Sequence, residues 1–326
     1  MWSIVVTKRM QRRLGIILLV LLLWGFGPSL VDDIHRKLYG AKPGVTLGDL
    51  PVEGMLEPEL YSFVSQLAKE MSMEPVDARY DPVTGRVEPE VVGYWIDVPA
   101  TVEQILGAWP GAKVDFVRQE LLPVISQDFF EPVYRGHPGK PYASLAINVD
   151  WGEEVLPRML EVFREHNVVV TFFLTGRWAE NNPEMAKALA EAGHEIGNHG
   201  LWHAHPNSLS AKQLEDLLVK NEDLLDRLTG QSNRLFAPPY GEFNDRVLAK
   251  AGSLGFRTIM WTLDTIDWQN PSPETIVERI VPKSENGAIV LMHPKENTLK
   301  ALPEIIKGMK AKGLQLVPVG ELLYHL

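Results

Sequence analysis

The sequence predicts an α/β barrel with parallel strands, preceded by a small α+β domain and an N-terminal transmembrane helix. Three observations carry that prediction. From about residue 143 onward, strand-like and helix-like stretches alternate some seven times, the pattern of repeated βα units around a parallel sheet. Ahead of them, one amphipathic helical stretch mixes with brief extended segments and turns. Ahead of those, a long apolar run follows a cluster of basic residues.

That run is the first element. Lys8, Arg9, Arg12 and Arg13 precede Leu14–Val31, 18 residues with no polar face, near the lower limit for crossing a hydrocarbon core. Basic flanks stay on the cytoplasmic side, and Asp32 and Asp33 follow on the other. Residues 1–35 therefore read as a cytoplasmic flank and a single-pass anchor in the cell membrane, with the folded part outside the cytoplasm. No small-x-small cleavage site follows the run, which favours an uncleaved anchor over a signal peptide. Residues 32 to about 43 read as a tether ending at Pro43-Gly44.

Pro58 suits the first turn of a helix that places Leu60, Phe63, Val64, Leu67 and Met71 on one face. Asp81-Pro82-Val83-Thr84-Gly85 is a turn between short extended stretches. Thr101 with Gln104 predicts a capping box opening a second short helix. Val114 and Phe116 alternate with Lys113 and Asp115, as in a half-buried strand. These elements make a small α+β domain over 43–126. Pro132, Gly136, Pro138, Gly139 and Pro141 then crowd the segment 127–142, which reads as a linker.

The last domain spans 143–326. Its strand candidates are 144–148, 168–173, 195–197, 235–237, 257–261, 288–292 and 315–317. Helices are predicted between them, among them 156–165, 183–192, 211–228 and 244–251. Active groups in such barrels sit where strands end. Composition narrows the chemistry. A formal net charge of -10, with no Lys/Arg stripe in the folded part, argues against a nucleic-acid partner. With no cysteine, disulfides and thiolate metal sites are excluded, and histidines and carboxylates are the strong ligands left.

His199-Gly200-Leu201-Trp202-His203 sets two imidazoles at i and i+4, able to face one divalent ion from a single helical turn. The pair begins where the strand of Gly193-His194-Glu195-Ile196-Gly197-Asn198 stops. His205 reads as a surface histidine ahead of Pro206. Asp150, beyond the first strand, is the natural third ligand. His293, closing Leu291-Met292-His293-Pro294, can serve as a general acid, oriented by Asp264 or Asp267. Pro238-Pro239-Tyr240-Gly241 is a rigid turn able to aim a backbone N–H at a developing oxyanion.

In their order, Thr171-Phe172-Phe173, Gly193 to His199, His203, Pro238-Pro239-Tyr240-Gly241, Asp264-Thr265-Ile266-Asp267-Trp268 and Leu291-Met292-His293 resemble the motifs of the polysaccharide deacetylase family, carbohydrate esterase family four. The resemblance covers residues 143–326 and implies a distorted (β/α) barrel. It further implies a metal-dependent N-deacetylase, a hydrolase of carbon–nitrogen bonds other than peptide bonds, acting on N-acetylated amino sugars of peptidoglycan or a related glycan. A divalent ion, Zn²⁺ by preference, would sit on His199, His203 and Asp150. Asp150, His293, Tyr240 and Asp264 would share the chemistry, and Trp151, Pro239, Trp268 and Leu291 would meet the substrate. Asn148 to Glu154 and Phe236 to Pro239 are most similar to the branch found in endospore-forming bacteria, which points to sporulation. Residues 82–87 and 96–103 resemble a peptidoglycan-binding domain of bacterial envelope proteins, which implies a place near the cell wall.

Two departures set a second reading beside the first. The family's first motif is Thr-Phe-Asp-Asp-Gly, a catalytic base followed by a metal ligand, where this chain has Asn148-Val149-Asp150-Trp151-Gly152. Aligned on the glycine, Asp150 is the base and Trp151 replaces the ligand. Aligned on the strand and on an Asp-x-x-Trp-Gly form, Asn148 replaces the base, and Asp150 is a possible ligand or substitute base. Either way one of two carboxylates survives. Ala237, in turn, stands where the family has an arginine paired with the base. The histidines favour an enzyme. The altered first motif and Ala237 favour a catalytically impaired envelope protein that binds glycan without hydrolysing it.

Overall fold

The computed structural model of the chain describes residues 27–324. The chain divides into two compact units, one joining 91–123 to the residues up to Val76, the other joining Asp77–Glu90 to the residues from Val124 onward.

In the first unit, Gly27–Tyr39 is helical, which corrects the expected tether. Local charge pairing explains the helix. Arg36 bonds Asp32 one turn back at 2.9 Å and clasps Glu59 through both terminal nitrogens at 2.6 and 2.8 Å. Residues 14–26 of the predicted membrane span lie outside the described residues, and among the described ones no helix is long and apolar enough to cross a membrane. The predicted amphipathic helix runs Glu57–Met71 and buries Leu60, Val64 and Ala68. The next one, Val98–Gly107, starts earlier than the expected capping box. Asp97 is its N-cap, accepting from the Ala100 N–H, with Pro99 in the first turn. Thr101 is buried instead, its hydroxyl donating to the Asp97 carbonyl and accepting from the Val117 N–H. Lys113–Val114 pairs in parallel with Thr46–Leu47.

The second unit is built on nine strands: β1 (Pro132–Val133), β2 (Tyr142–Val149), β3 (Thr171–Leu174), β4 (Glu195–Asn198), β5 (Leu235–Phe236), β6 (Arg257–Ile259), β7 (Leu263–Asp264), β8 (Ile289–Met292) and β9 (Gln315–Leu316). All seven predicted strands of the barrel region are among them. Their order is β7-β8-β2-β3-β4-β5-β6-β1, every pairing is parallel, and β9 adds to β2. The path does not close: β7 and β1 stand at its ends, so the predicted barrel is an open, curled half-barrel. The segment expected to be a linker contributes β1, which pairs with β6. An edge strand tolerates Pro132, whose missing N–H faces away from the ladder.

Alternation along β2 separates two cores. Leu145, Ile147 and Val149 pack outward with Leu156, Met159 and Phe163 of the helix Leu156–Glu165 and with Ile305 and Ile306 of the helix Glu296–Ala311. Ala146 joins Phe173, Leu235, Ala237, Ile259 and Ile289 on the concave side. Asn148, two residues further along that side, reaches the mouth of the curl.

His194 is buried in the outer layer, with Phe163 and Phe172 edge-on at 5.4 and 5.3 Å, and its Nδ1 accepts the Val170 N–H at 3.2 Å. Burial pushes the imidazole down to about 4. An unfolded chain protonates this histidine below about pH 6.5 while the folded one does not, so its contribution is complete above that pH and lost as pH falls toward 4. The expected loss is about 3 kcal/mol. Urea titrations at pH 7.0 and 4.5 should show a shallower acid loss in His194→Gln than in the parent, and equal losses would refute the assignment.

Candidate functional site

A cavity of about 500 Å³ opens where the strands end. The backbone brings its walls into register. The Thr175 N–H donates to the Val149 carbonyl and the His199 N–H to the Leu174 carbonyl, so Asp150, Thr175 and His199 continue one row across β2, β3 and β4. Asn148 and Asp150 enter from β2, His199 and His203 follow β4, Tyr240 and Gly241 follow β5, Asp264 and Trp268 come from β7 and its exit, and Leu291 and His293 from β8. Trp151 and Trp261 complete the wall. Of the residues expected in the site, Asp267 is absent from the lining, and so is Pro239. It is buried beneath the turn, where its ring rigidifies the backbone that carries Tyr240. Gly152 holds φ +90, and a Cβ there would meet the Pro294 carbonyl oxygen at 2.5 Å, which explains the motif's glycine.

His293 donates from Nδ1 to Asp267 Oδ1 at 2.8 Å, and its backbone N–H donates to Oδ2 at 2.7 Å. The Thr298 hydroxyl adds a third bond to Oδ2. Burial pushes the Asp267 carboxyl up, but the bonds from His293 outweigh it and hold the group below its ordinary range. The arrangement leaves Nε2 as the ring nitrogen free for the cavity. Asp267 is thus the orienting carboxylate, and the expected role of Asp264 is corrected. Asp264 accepts the Ile266 N–H at 2.7 Å, holding a turn in which Ile266 is left-handed at φ 52. Burial, with the Asp267 charge adding to it, raises the Asp264 carboxyl.

Tyr240 is also left-handed, at φ 60, a costly conformation for a bulky residue. Its ring lies flat on His205, with centroids 4.0 Å apart and planes 7° apart, and edge-on to His203 at 4.4 Å. His205 Nδ1 pairs with Glu242 at 3.0 Å. His205 therefore props the Tyr240 wall rather than lining the cavity.

The first motif departs from its expected work. His199 and His203 lie with ring centroids 5.1 Å apart, but on irregular backbone after β4 rather than on the expected helical turn. His199 Nδ1 donates to the Ala237 carbonyl at 2.7 Å, leaving a lone pair on Nε2, and burial with the neighbouring His203 pushes the ring down to about 3. Burial lowers His203 as well, with Asp150 opposing. Asp150, however, is engaged elsewhere. Its Oδ1 accepts the Thr175 hydroxyl at 2.7 Å and its Oδ2 faces Arg177 at 3.3 Å. Among the described residues no group of three histidines or carboxylates forms a site for a metal ion. Catalytic zinc sites take three protein ligands. Of the expected ligand set, His199 and His203 stand together, while Asp150 is turned to Thr175 and Arg177. Trp151 replaces chemistry with surface: its ring stacks beside His293 (6.0 Å, 14°), and Lys295 Nζ lies 5.3 Å from its centroid. Asn148 is buried, and its Oδ1 has no hydrogen-bond partner.

Sequence reasoning passed over Thr175, Arg177 and Trp261. Thr175 had a usable signal, as the first polar residue after Thr171-Phe172-Phe173-Leu174. Arg177 and Trp261 had none, because their roles depend on contacts distant in sequence.

The family model for polysaccharide deacetylase matches residues 136–259. YlxY of Bacillus subtilis, itself uncharacterized, is 36% identical over 266 residues, 81% of this chain and 83% of that one. A peptidoglycan-N-acetylglucosamine deacetylase of Bacillus cereus is 34% identical over 186 residues, 54% of this chain and 68% of that one. Among solved structures, a CE4 family pseudoenzyme from Bacillus anthracis superposes with TM-score 0.59 at 37% identity, covering 82% of this chain and 95% of that one. A mutant of that pseudoenzyme with restored enzymatic activity gives 0.60 at 36%, covering 82% and 98%.

Proposed function

The chain belongs to the polysaccharide deacetylase family, and on that premise we propose that it is a glycan-binding member with an incomplete hydrolytic site. It holds N-acetylated amino sugars of cell-wall peptidoglycan without deacetylating them. One observation carries this reading: the cavity keeps its sugar-sized space and aromatic walls while its first motif has lost the carboxylate of a three-ligand metal site.

Trp151, Tyr240 and Trp268 are 41%, 56% and 54% exposed around the opening. Flat, half-exposed rings suit the apolar faces of pyranose rings, and a few polar groups set orientation. His293 Nε2, held by Asp267, can hydrogen-bond an acetamido or hydroxyl group. Asp150, the carboxylate expected to act with it, is tied to Thr175 and Arg177. The names of the relatives support the substrate class, and the Bacillus anthracis structure supports the loss of turnover. The basic flank and apolar run at the N-terminus would tether this unit to the membrane, facing the wall.

The full chain, supplied with zinc, should bind purified peptidoglycan and chitotetraose by sedimentation and calorimetry, and release no acetate above background. Trp268→Ala should weaken binding about tenfold. Zinc-dependent acetate release that disappears in His199→Ala would overturn the proposal in favour of the deacetylase reading, which the His293–Asp267 pair favours.

A further inference from the structure

Trp151 is a wall with two sides. One side bounds the 500 Å³ cavity, and the other bounds a second cleft of about 350 Å³. The sequence explains why the two adjoin. Trp151 follows β2, Lys295 follows β8, and β2 pairs directly with β8, so both residues leave neighbouring strand ends. Building on the glycan-binding reading, we propose that this second cleft takes the carboxylate-bearing substituent of the adjoining sugar, the lactyl group of a muramic acid residue, with Lys295 as the recognising cation.

The charges in the cleft single out Lys295. Arg158 is clasped by Glu296, at 3.2 and 2.6 Å, so that pair is internally neutralised. Glu154 also lines the cleft, and its side of the wall is exposed. Lys295 is half-buried, and its ammonium donates to a neutral acceptor, Asn270 Oδ1, at 2.8 Å while lying near the Trp151 ring. Among the described residues it forms no ion pair, the neighbouring Glu296 being taken by Arg158 and Lys300. An ammonium held by a neutral amide and an indole keeps donors for an incoming anion, and a partly desolvated site strengthens that contact. Asn270 is itself fixed by a left-handed turn at φ 53, so Lys295 is pre-positioned rather than free to wander. A glycan lying across Trp151 would put one sugar in the large cavity and the next in the cleft. Chitin has nothing anionic to offer there, whereas the alternating sugars of peptidoglycan do.

The test compares three ligands by calorimetry on the full chain in mild detergent: a peptide-free tetrasaccharide of alternating N-acetylglucosamine and N-acetylmuramic acid, the same tetrasaccharide with its lactyl groups methyl-esterified, and chitotetraose. The free acid should bind about tenfold tighter than the other two. Lys295→Gln should remove that difference and leave chitotetraose unchanged. Glutamine is one atom shorter but keeps a neutral donor that can turn to Asn270, and a melting curve verifies folding. Lys295→Arg should retain the preference. Equal binding of acid and ester, or an equal loss for all ligands in Lys295→Gln, overturns this assignment while leaving glycan binding intact. Failure of all three to bind the parent overturns both.

Discussion

Rebuilding the first motif should convert the chain into a zinc-dependent deacetylase. Trp151→Asp adds a carboxylate beside His199 and His203, the third ligand of a catalytic site. Zinc affinity, read by competition with a chromogenic chelator, should rise at least about tenfold. Turnover depends on which residue stands at the position of the base. If Asp150 does, Trp151→Asp alone should start acetate release. If Asn148 does, Asn148→Asp is needed as well, and the buried, partnerless Oδ1 of Asn148 favours that alternative. A lone carboxylate buried there would cost several kcal/mol, so Ala237→Arg should restore part of the stability lost by Asn148→Asp. The triple variant should release acetate about 10²–10⁴ faster than the parent, the usual worth of a positioned base. Adding His199→Ala should return it to background. A triple variant that binds zinc, melts near the parent temperature and releases no acetate would refute this account of what the site lacks.

Where sequence and structure part, the reason lies in the range of the interactions involved. The seven predicted strands were legible as short, mostly apolar stretches bounded by turn residues and alternating with helices. β1 and β7 were not: Pro132 argued against a strand, and Leu263-Asp264 follows the predicted strand 257–261 too closely to stand out as a separate one. The half-barrel could not be told from a closed barrel, since both repeat the same βα unit and differ only in whether the end strands meet. In the site, the histidine pair and His293 were legible from spacing and strand ends. The choice between Asp264 and Asp267 was not. Both lie in one five-residue motif, and the left-handed Ile266 decides which carboxylate faces the histidine. The engagement of Asp150 by Thr175 and Arg177 was equally hidden, 25 and 27 residues away in sequence.

Asp267→Ala should be among the most destabilising single changes in the unit, and that bears on what the surviving motifs mean. The carboxylate is 1% exposed and accepts three hydrogen bonds, two from His293 and one from the fully buried Thr298. Its removal strands the His293 N–H and the Thr298 hydroxyl without acceptors, at about 3 kcal/mol together. For a unit of this size that lowers the melting temperature by roughly 6–12 °C. Asp267→Asn keeps one acceptor oxygen and should lose about half as much. His293→Ala, which leaves Thr298 and the backbone N–H still bonded to Asp267, should cost least. The acid dependence follows from the lowered carboxyl. Its stabilisation is complete above the ordinary carboxylate value, about pH 4, and is lost as pH falls through the lower folded value. Calorimetric melts at pH 7 and in acid check both parts. A shift below about 2 °C for Asp267→Ala would show that the hydrogen bonds are not structural. If the order holds, the Asp267–His293 pair persists because it ties the exit of β7 to the start of the helix Glu296–Ala311. Its presence is then compatible with a site that binds sugar and leaves the acetyl group in place.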